Sequence, residues 1–283
     1  MPAADRLDSP KRLILSLLRA ASGRSVPVRV LVQLGELFGA REGTMRVALT
    51  RLVSQGLVEP DGAGRYQLGV AALPLGRYVE EWRLGERRAR AWEGTWLCVA
   101  LPRGADRGLR RRSRTALSLL GFREGLPGLW VRPDNLSLAL DELRGRLASL
   151  DLEEDAELFV GSDFSSSLAR RWQRSLWKRP ALLRRQQQAL ERLRAARTGL
   201  ARASAEEALV ATFLAGGAAI RVLATDPMLP AEIAPTEARA ELARAMLDFD
   251  GLGRRLWAEW IRHLDADAGK LSGALAPSPE THA

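Results

Sequence analysis

The stretch GTMRVALTRLVSQGLV, residues 43–58, decides how the amino-terminal part of this chain folds. Met45, Ala48, Leu49 and Leu52 recur at i, i+3, i+4 and i+7, the spacing that lines one side of an α-helix. Val47, Thr50, Arg51 and Ser54 fall on the opposite side, with Thr44 and Arg46 on the flanks, and Gly56 ends the run. A helix held down by leucines that still carries guanidinium groups on its open side is suited to an anionic partner.

Working outward, Asp8 and Ser9 stand before Pro10, a cap followed by a first-turn proline, and Leu13, Ile14, Leu17 and Leu18 then repeat with helical spacing to about Ala21. The segment SGRSVPV interrupts, and Pro27 can open a second helix with Val30, Leu31, Leu34, Leu37 and Phe38 on one face and Gly39 at its end. After the third helix, LVEPDGAGRYQLG reads as two short strands, Leu57–Glu59 and Arg65–Leu68, around a Pro/Asp/Gly turn. Three helices and a hairpin make a winged helix-turn-helix, in which the second and third helices form the DNA-reading unit. Residues 1–72 are therefore expected to be a DNA-binding domain. Its contacts are expected from Arg41, Thr44, Arg46, Thr50, Arg51 and Arg65. Thr44 would meet a phosphate near the helix start, and Arg65 would extend from the hairpin to the backbone or minor groove. For Arg46 there is a competing role, an ion pair with Glu42 four residues earlier.

Beyond residue 72 a polar connecting helix is expected over 73–93, its pattern clearest from Leu75 to Trp92. Residues 94–165 then give strand, helix, strand, strand, helix, strand, with GFREGL as the second strand. That order suits a ferredoxin-like domain. Residues 166–265 read as a helical C-terminal domain, with Leu182, Leu183, Gln186, Ala189, Leu190 and Leu193 on one side of a long helix from Pro180 to Arg202. Residues 266–283 have the composition of a flexible tail. The fold class expected is α+β.

With 283 residues the chain exceeds one compact core, and its 43 Lys and Arg against 34 Asp and Glu leave a net charge of +9, a field that favours polyanions. The arginine clusters at 103–114 and 170–197 read as solvated helix faces, with phosphate contact as the alternative. One cysteine, Cys98, excludes an internal disulfide. The opening residues do not form a secretory signal, and no window holds the uninterrupted apolar run of a membrane span, so a cytoplasmic protein is expected. Catalysis has little material. The histidines are His263 and His282, the carboxylates of Asp163, Asp226 and Asp250 are scattered, and neither GxGxxG nor GxxxxGK[ST] occurs. No catalytic residue, metal ligand or cofactor is expected. The tryptophans Trp92, Trp96, Trp130, Trp172, Trp177 and Trp257 read as core fillers.

Taken together with later segments, MRVALTRLVSQGLVE resembles the Arg-x-Ala-Leu-x-Arg-Leu signature of PaaX-like regulators, the repressors of phenylacetic acid degradation. RARAWEGTWLCVALP looks like that family's Trp-x-Gly-x-Trp opening of the central domain, here Trp92, Gly94 and Trp96. LLGFREGLPGLWVRPDNL and TDPMLPAEIAP resemble its Gly-Phe, Gly-Leu-Trp and Asp-Pro-x-Leu-Pro segments. The resemblance spans residues 9 to about 262. It implies a winged helix, a ferredoxin-like domain similar to the Cas2 core, a helical C-terminal domain, and a homodimer that represses at double-stranded operator DNA until an acyl-CoA thioester binds. In the C-terminal part this chain has APTEARAEL where the family usually has tryptophan and glycine, and the effector-binding residues stay unassigned. Two other readings remain: a Cas2-like metal-dependent nuclease built on the central domain, and a protein-interaction module.

Overall fold

The computed structural model describes residues 9–21, 23–62, 64–102 and 106–274, with side chains as far as Trp260. It is a mixed α and β structure with two small antiparallel sheets and two compact units. The first unit takes the residues up to Gly69, Ala196–Leu214 and those from Asp248 on; the second takes Val70–Ala195 and Ala215–Leu247.

In the first unit, Ser9 caps α1 (Pro10–Ala20) by accepting from the Arg12 amide, and Pro10 occupies the first turn, where its missing N–H costs nothing. Next come β1 (Val26–Pro27), α2 (Val28–Leu37), α3 (Glu42–Ser54), β2 (Val58–Pro60) and β3 (Arg65–Leu68). The sheet order is β1-β3-β2, with Val26 opposite Tyr66 and Val58 opposite Leu68. Pro27, expected to open the second helix, instead pairs with Arg65 in β1, and the helix starts one residue later. That two-residue strand has too few positions to show an alternation, and its partner lies about 40 residues away. The core holds Leu13, Ile14, Leu18, Val30, Leu31, Leu34, Met45, Leu52 and Val58. Phe213 and Trp257 join it, with the Phe38 and Phe213 rings centred 5.0 Å apart.

The second unit begins with α4 (Leu73–Glu80). The continuous helix expected over 73–93 is corrected here: from Glu81 to Arg88 the chain winds as a 3-10 helix interrupted at Gly85, whose φ of 53° is not helical. Then follow β4 (Trp96–Ala100), α5 (Arg107–Leu119), β5 (Arg123–Leu126), β6 (Leu129–Pro133), α6 (Leu140–Ser149) and β7 (Glu157–Gly161). The strands lie in the order β5-β6-β4-β7, every neighbour antiparallel. One face of this sheet packs Leu97, Val99, Phe122 and Leu158 with Leu117 of α5 and Leu143 and Leu147 of α6.

Helices make up most of the remainder: α7 (Ser166–Ser175), α8 (Arg179–Gly199), α9 (Ala205–Ala224) and α10 (Glu237–Ala274). The sheet's other face packs Trp96, Cys98 and Val131 with Trp172 and Trp177. Residues 166–265, expected as one helical domain, are shared between the two units. α10 continues into the expected tail as far as Ala274, and residues 275–283 lie outside the described residues, as do Asp8, His282 and Arg103 of the first arginine cluster. α9 is long and apolar enough to cross a membrane by length and composition, although Arg221 interrupts its apolar run, as the expected lack of an uninterrupted span allows. A core helix passes the same test, and Leu209, Ala219 and Leu223 are buried within the protein.

Candidate nucleic-acid interface

The exposed side of α3 is set up by how its back is held. α2 ends in a left-handed Gly39, φ 75°, and the Ala40 amide returns to the Gly35 carbonyl at 2.9 Å. Gly35 itself faces α3 so closely that a Cβ there would lie 2.5 Å from Met45 Cγ. Met45, Leu49 and Leu52 are buried, which sets the back of the helix against the core. Arg41, Thr44, Arg46, Thr50 and Arg51 are all exposed. At the start of α3, Arg41 occupies the N-cap position without a side-chain cap bond, which leaves the first-turn amides uncovered by that residue.

The hydrogen bonds grade these residues. Arg46 donates from Nε to Glu42 at 2.7 Å, and the two side chains are 56% and 53% exposed. Surface pairs of this spacing contribute only about 0.3–0.5 kcal/mol, so a phosphate or base edge can compete for the guanidinium. The Thr50 hydroxyl donates to the Arg46 carbonyl at 3.1 Å, leaving its oxygen to accept. Arg65 is exposed but committed: Nε donates to the Ser25 hydroxyl at 2.9 Å and Nη2 to the Ser25 carbonyl at 2.7 Å. The guanidinium is therefore bound back to the segment leading into β1, a long-range contact that no local pattern discloses.

One residue was not assigned a role from sequence. Val47 is 53% exposed between the arginines, an apolar group on an otherwise polar face. A thymine methyl is the base-edge feature such a side chain would meet. Its solvent-side position is legible in the helical spacing, but valine carries no donor that would mark it as a contact residue.

In the second unit the motif segments converge on a buried polar network. Asp226 to Pro230 are all buried. Arg132, also buried, donates to the carbonyls of Leu120, Pro133 and Pro227 and to the Asn135 side chain, while Asn135 donates to the Met228 carbonyl at 2.7 Å. Asp226 accepts from the Met228 amide and from Gln186, and faces Arg239, which pairs with Glu86. Burial pulls the Arg132 guanidinium down to about 10. The tryptophans pack as expected: Trp96 lies edge-on to Trp172 at 5.2 Å, and the Trp172 and Trp177 indoles donate to the Gly125 and Gly121 carbonyls. These segments pack and hydrogen-bond with one another inside the unit.

Among the described residues of the second unit the buried thiol and phenol are held in their protonated forms. Burial pushes the Cys98 thiol up to about 11 and the Tyr78 hydroxyl to about 12. Asp106 accepts from the Gly108 and Leu109 amides as the N-cap of α5, bonds that hold its carboxyl below the usual carboxylate range. His263 lies in α10 beyond the described side chains. Among the described residues no group of three His, Cys, Asp or Glu side chains is positioned for a metal ion.

Comparison with known proteins finds a family match over part of the first unit. The model of the PaaX-like protein family matches residues 9–70, the segment that runs from α1 to β3, and bears out the resemblance over those residues. Over those residues the chain is similar to the PaaX-like family, a likeness that suggests a transcriptional regulator. Over most of its length the chain is similar to the uncharacterised protein Rv0674 from Mycobacterium tuberculosis, with 29% identity, a TM-score of 0.58, and coverage of 88% of this chain and 97% of that one. No curated protein matches.

Proposed function

We propose that the chain is a sequence-specific DNA-binding transcriptional repressor that acts as a homodimer in the cytoplasm. Residues 1–72 form a winged helix-turn-helix, α3 enters the major groove, and the β2–β3 hairpin is the wing. Residues 94–165 form a ferredoxin-like domain whose strand order, β7-β4-β6-β5, is that of a split βαββαβ unit.

The observation that carries this reading is the two-sidedness of α3. Met45, Leu49 and Leu52 are buried on one side, and Arg41, Thr44, Arg46, Thr50 and Arg51 are exposed, within the segment that matches the PaaX-like family. A bidentate arginine to guanine discriminates by ~1–3 kcal/mol, so several base contacts together would separate an operator from bulk DNA, with phosphate contacts adding affinity. Arg41, Thr44 and Arg46 suit the backbone or base edges near the helix start, and Thr50 and Arg51 suit positions farther along. Arg65 supports the hairpin and reaches DNA only by releasing Ser25.

Release of the operator is assigned to an acidic metabolite, such as an acyl-CoA thioester, that binds one dimer state better than another. A Cas2-like nuclease is the lesser reading, because Asp106, the first carboxylate after β4, is bonded to backbone amides of α5. The test is a mobility shift on the DNA upstream of the chain's own coding sequence, comparing wild type with the Arg46→Ala/Arg51→Ala double variant. Loss of the shifted band in the variant is expected; retention at the wild-type protein concentration overturns the assigned face.

A further inference from the structure

Within the second unit, a cavity of about 80 Å³ is bounded by the 3-10 turn Glu81–Arg88 and by residues of β6 and α6. Its charge is unbalanced. Arg87, Arg88, Arg132 and Arg146 line it against two carboxylates, Glu81 and Asp226. Both carboxylates are already engaged: Glu81 pairs with Arg146, and Asp226 faces Arg239, which lies outside the lining. Among the described residues, Arg87, Arg88 and Arg132 have no carboxylate at ion-pair distance. Arg88 is half-buried, and its donors go to neutral atoms: Nε to the Gly85 carbonyl at 3.4 Å, and Nη2 to the Leu223 carbonyl and Met228 Sδ, each at 3.1 Å. Its Nη1 has no partner among the described residues. The backbone on either side is pinned, since the Ser137 amide donates to the Arg88 carbonyl at 2.9 Å and the Arg90 amide to the Asn135 carbonyl at 2.8 Å. Burial pulls the Arg88 guanidinium below its ordinary range. A guanidinium taken from water without a counter-ion is costly, so an anion entering here gains from charge that the fold has already desolvated.

The remaining walls select the kind of anion. Leu120, Leu136, Leu138 and Met228 are apolar, and Leu84 stands exposed beside Arg87 at the mouth. A strongly hydrated ion such as inorganic phosphate would leave those side chains against water, whereas a carboxylate with a short hydrocarbon part covers them. Room for about six water-sized groups suits an acid of five or six carbons and not the nucleotide portion of a CoA thioester. We propose that this cavity binds a small organic carboxylate as the free acid anion, with its carboxylate on Arg88 Nη1 and Arg87 and its hydrocarbon part against Leu136, Leu138 and Met228. The inference rests on the proposed function in taking this ligand for the acidic metabolite that releases the operator, and it selects the free acid over the thioester.

The full chain, without DNA, is the material for the test. At constant ionic strength, hexanoate at about 10 mM is expected to raise the Tm by about 3 °C and to bind one site per chain by isothermal titration calorimetry. Hexanamide, which has the same shape without the charge, and inorganic phosphate are expected to leave the Tm unchanged. Leu84→Asp, at an exposed position, is expected to fold as the wild type does by circular dichroism and to lose the response through repulsion at the mouth. Arg88→Met is expected to lose it through the missing donor. No rise with hexanoate, an equal rise with hexanamide or phosphate, a full response in folded Leu84→Asp, or a rise with hexanoyl-CoA where hexanoate gives none would each overturn the proposal. A wild type that shifts operator DNA and ignores hexanoate overturns this site alone; one that takes up hexanoate and shifts no DNA overturns the operator reading alone.

Discussion

Gly35 and Met45 touch across the α2–α3 pair so closely that a single added methyl on Gly35 would lie 2.5 Å from Met45 Cγ. The contact explains a glycine inside α2, where alanine would be better for the helix by about 1 kcal/mol. Gly35→Ala is expected to lower stability by about 1–3 kcal/mol through overpacking. Combining it with Met45→Ala should recover part of that loss, with a negative coupling in a urea-denaturation double-mutant cycle. A stabilised Gly35→Ala variant would show that the two helices do not pack in this way.

Glu42 neutralises Arg46 on the proposed DNA face. Glu42→Gln removes an exposed pair and is expected to cost at most about 0.5 kcal/mol of stability. It should also tighten binding to any duplex, because a carboxylate no longer faces phosphate. Fluorescence anisotropy at two salt concentrations measures the change, and weaker binding in the variant would mean that Glu42 itself contacts a base or orients Arg46.

Arg132 is held by carbonyl oxygens and an amide, not by a carboxylate. Arg132→Ala orphans several of these groups, and a loss of about 3–5 kcal/mol is expected. Arg132→Lys should recover little, since an ammonium cannot reach oxygens spread around a planar fork. Thermal melts of both variants check this; a lysine variant as stable as wild type would reduce the network to simple charge.

Cys98 gives a pH dependence. Its folded thiol is raised to about 11 from an ordinary 9.0, so the folded state holds the proton longer than the unfolded one. The associated stability is fully present below pH 9 and is lost as pH rises through 11, at roughly 1.4 kcal/mol per pH step between those limits. The stability difference between wild type and Cys98→Ala is expected to shrink over that window in urea titrations, and Cys98 should resist a thiol reagent at pH 8 until the chain is unfolded.

The candidate face on α3 was readable because helical periodicity is local. Met45, Leu49 and Leu52 need only their own spacing to define a buried side, and the arginines then fall where they must. The strands of the second unit were readable for the same reason, including GFREGL, which becomes β5. The break at Gly85 was not, since an isolated glycine inside a helical pattern is tolerated at a modest cost and does not by itself mark an interruption. Nor was the commitment of Arg65, because its partner Ser25 is 40 residues distant.

By itself the sequence determined the helices of the first unit, the alternation of strands and helices that follows, and which side of α3 is apolar. These depend on spacing within a few turns and on capping residues next to them. Only the tertiary structure decided that Val26 pairs with Tyr66, that Arg132 is buried under the Asp226–Pro230 segment, and that β7 stands at the edge of its sheet. Each of those outcomes is a hydrogen bond, or the lack of a strand neighbour, between residues far apart in the chain. The energy of such a contact depends on what the rest of the fold brings near, and no local pattern records it.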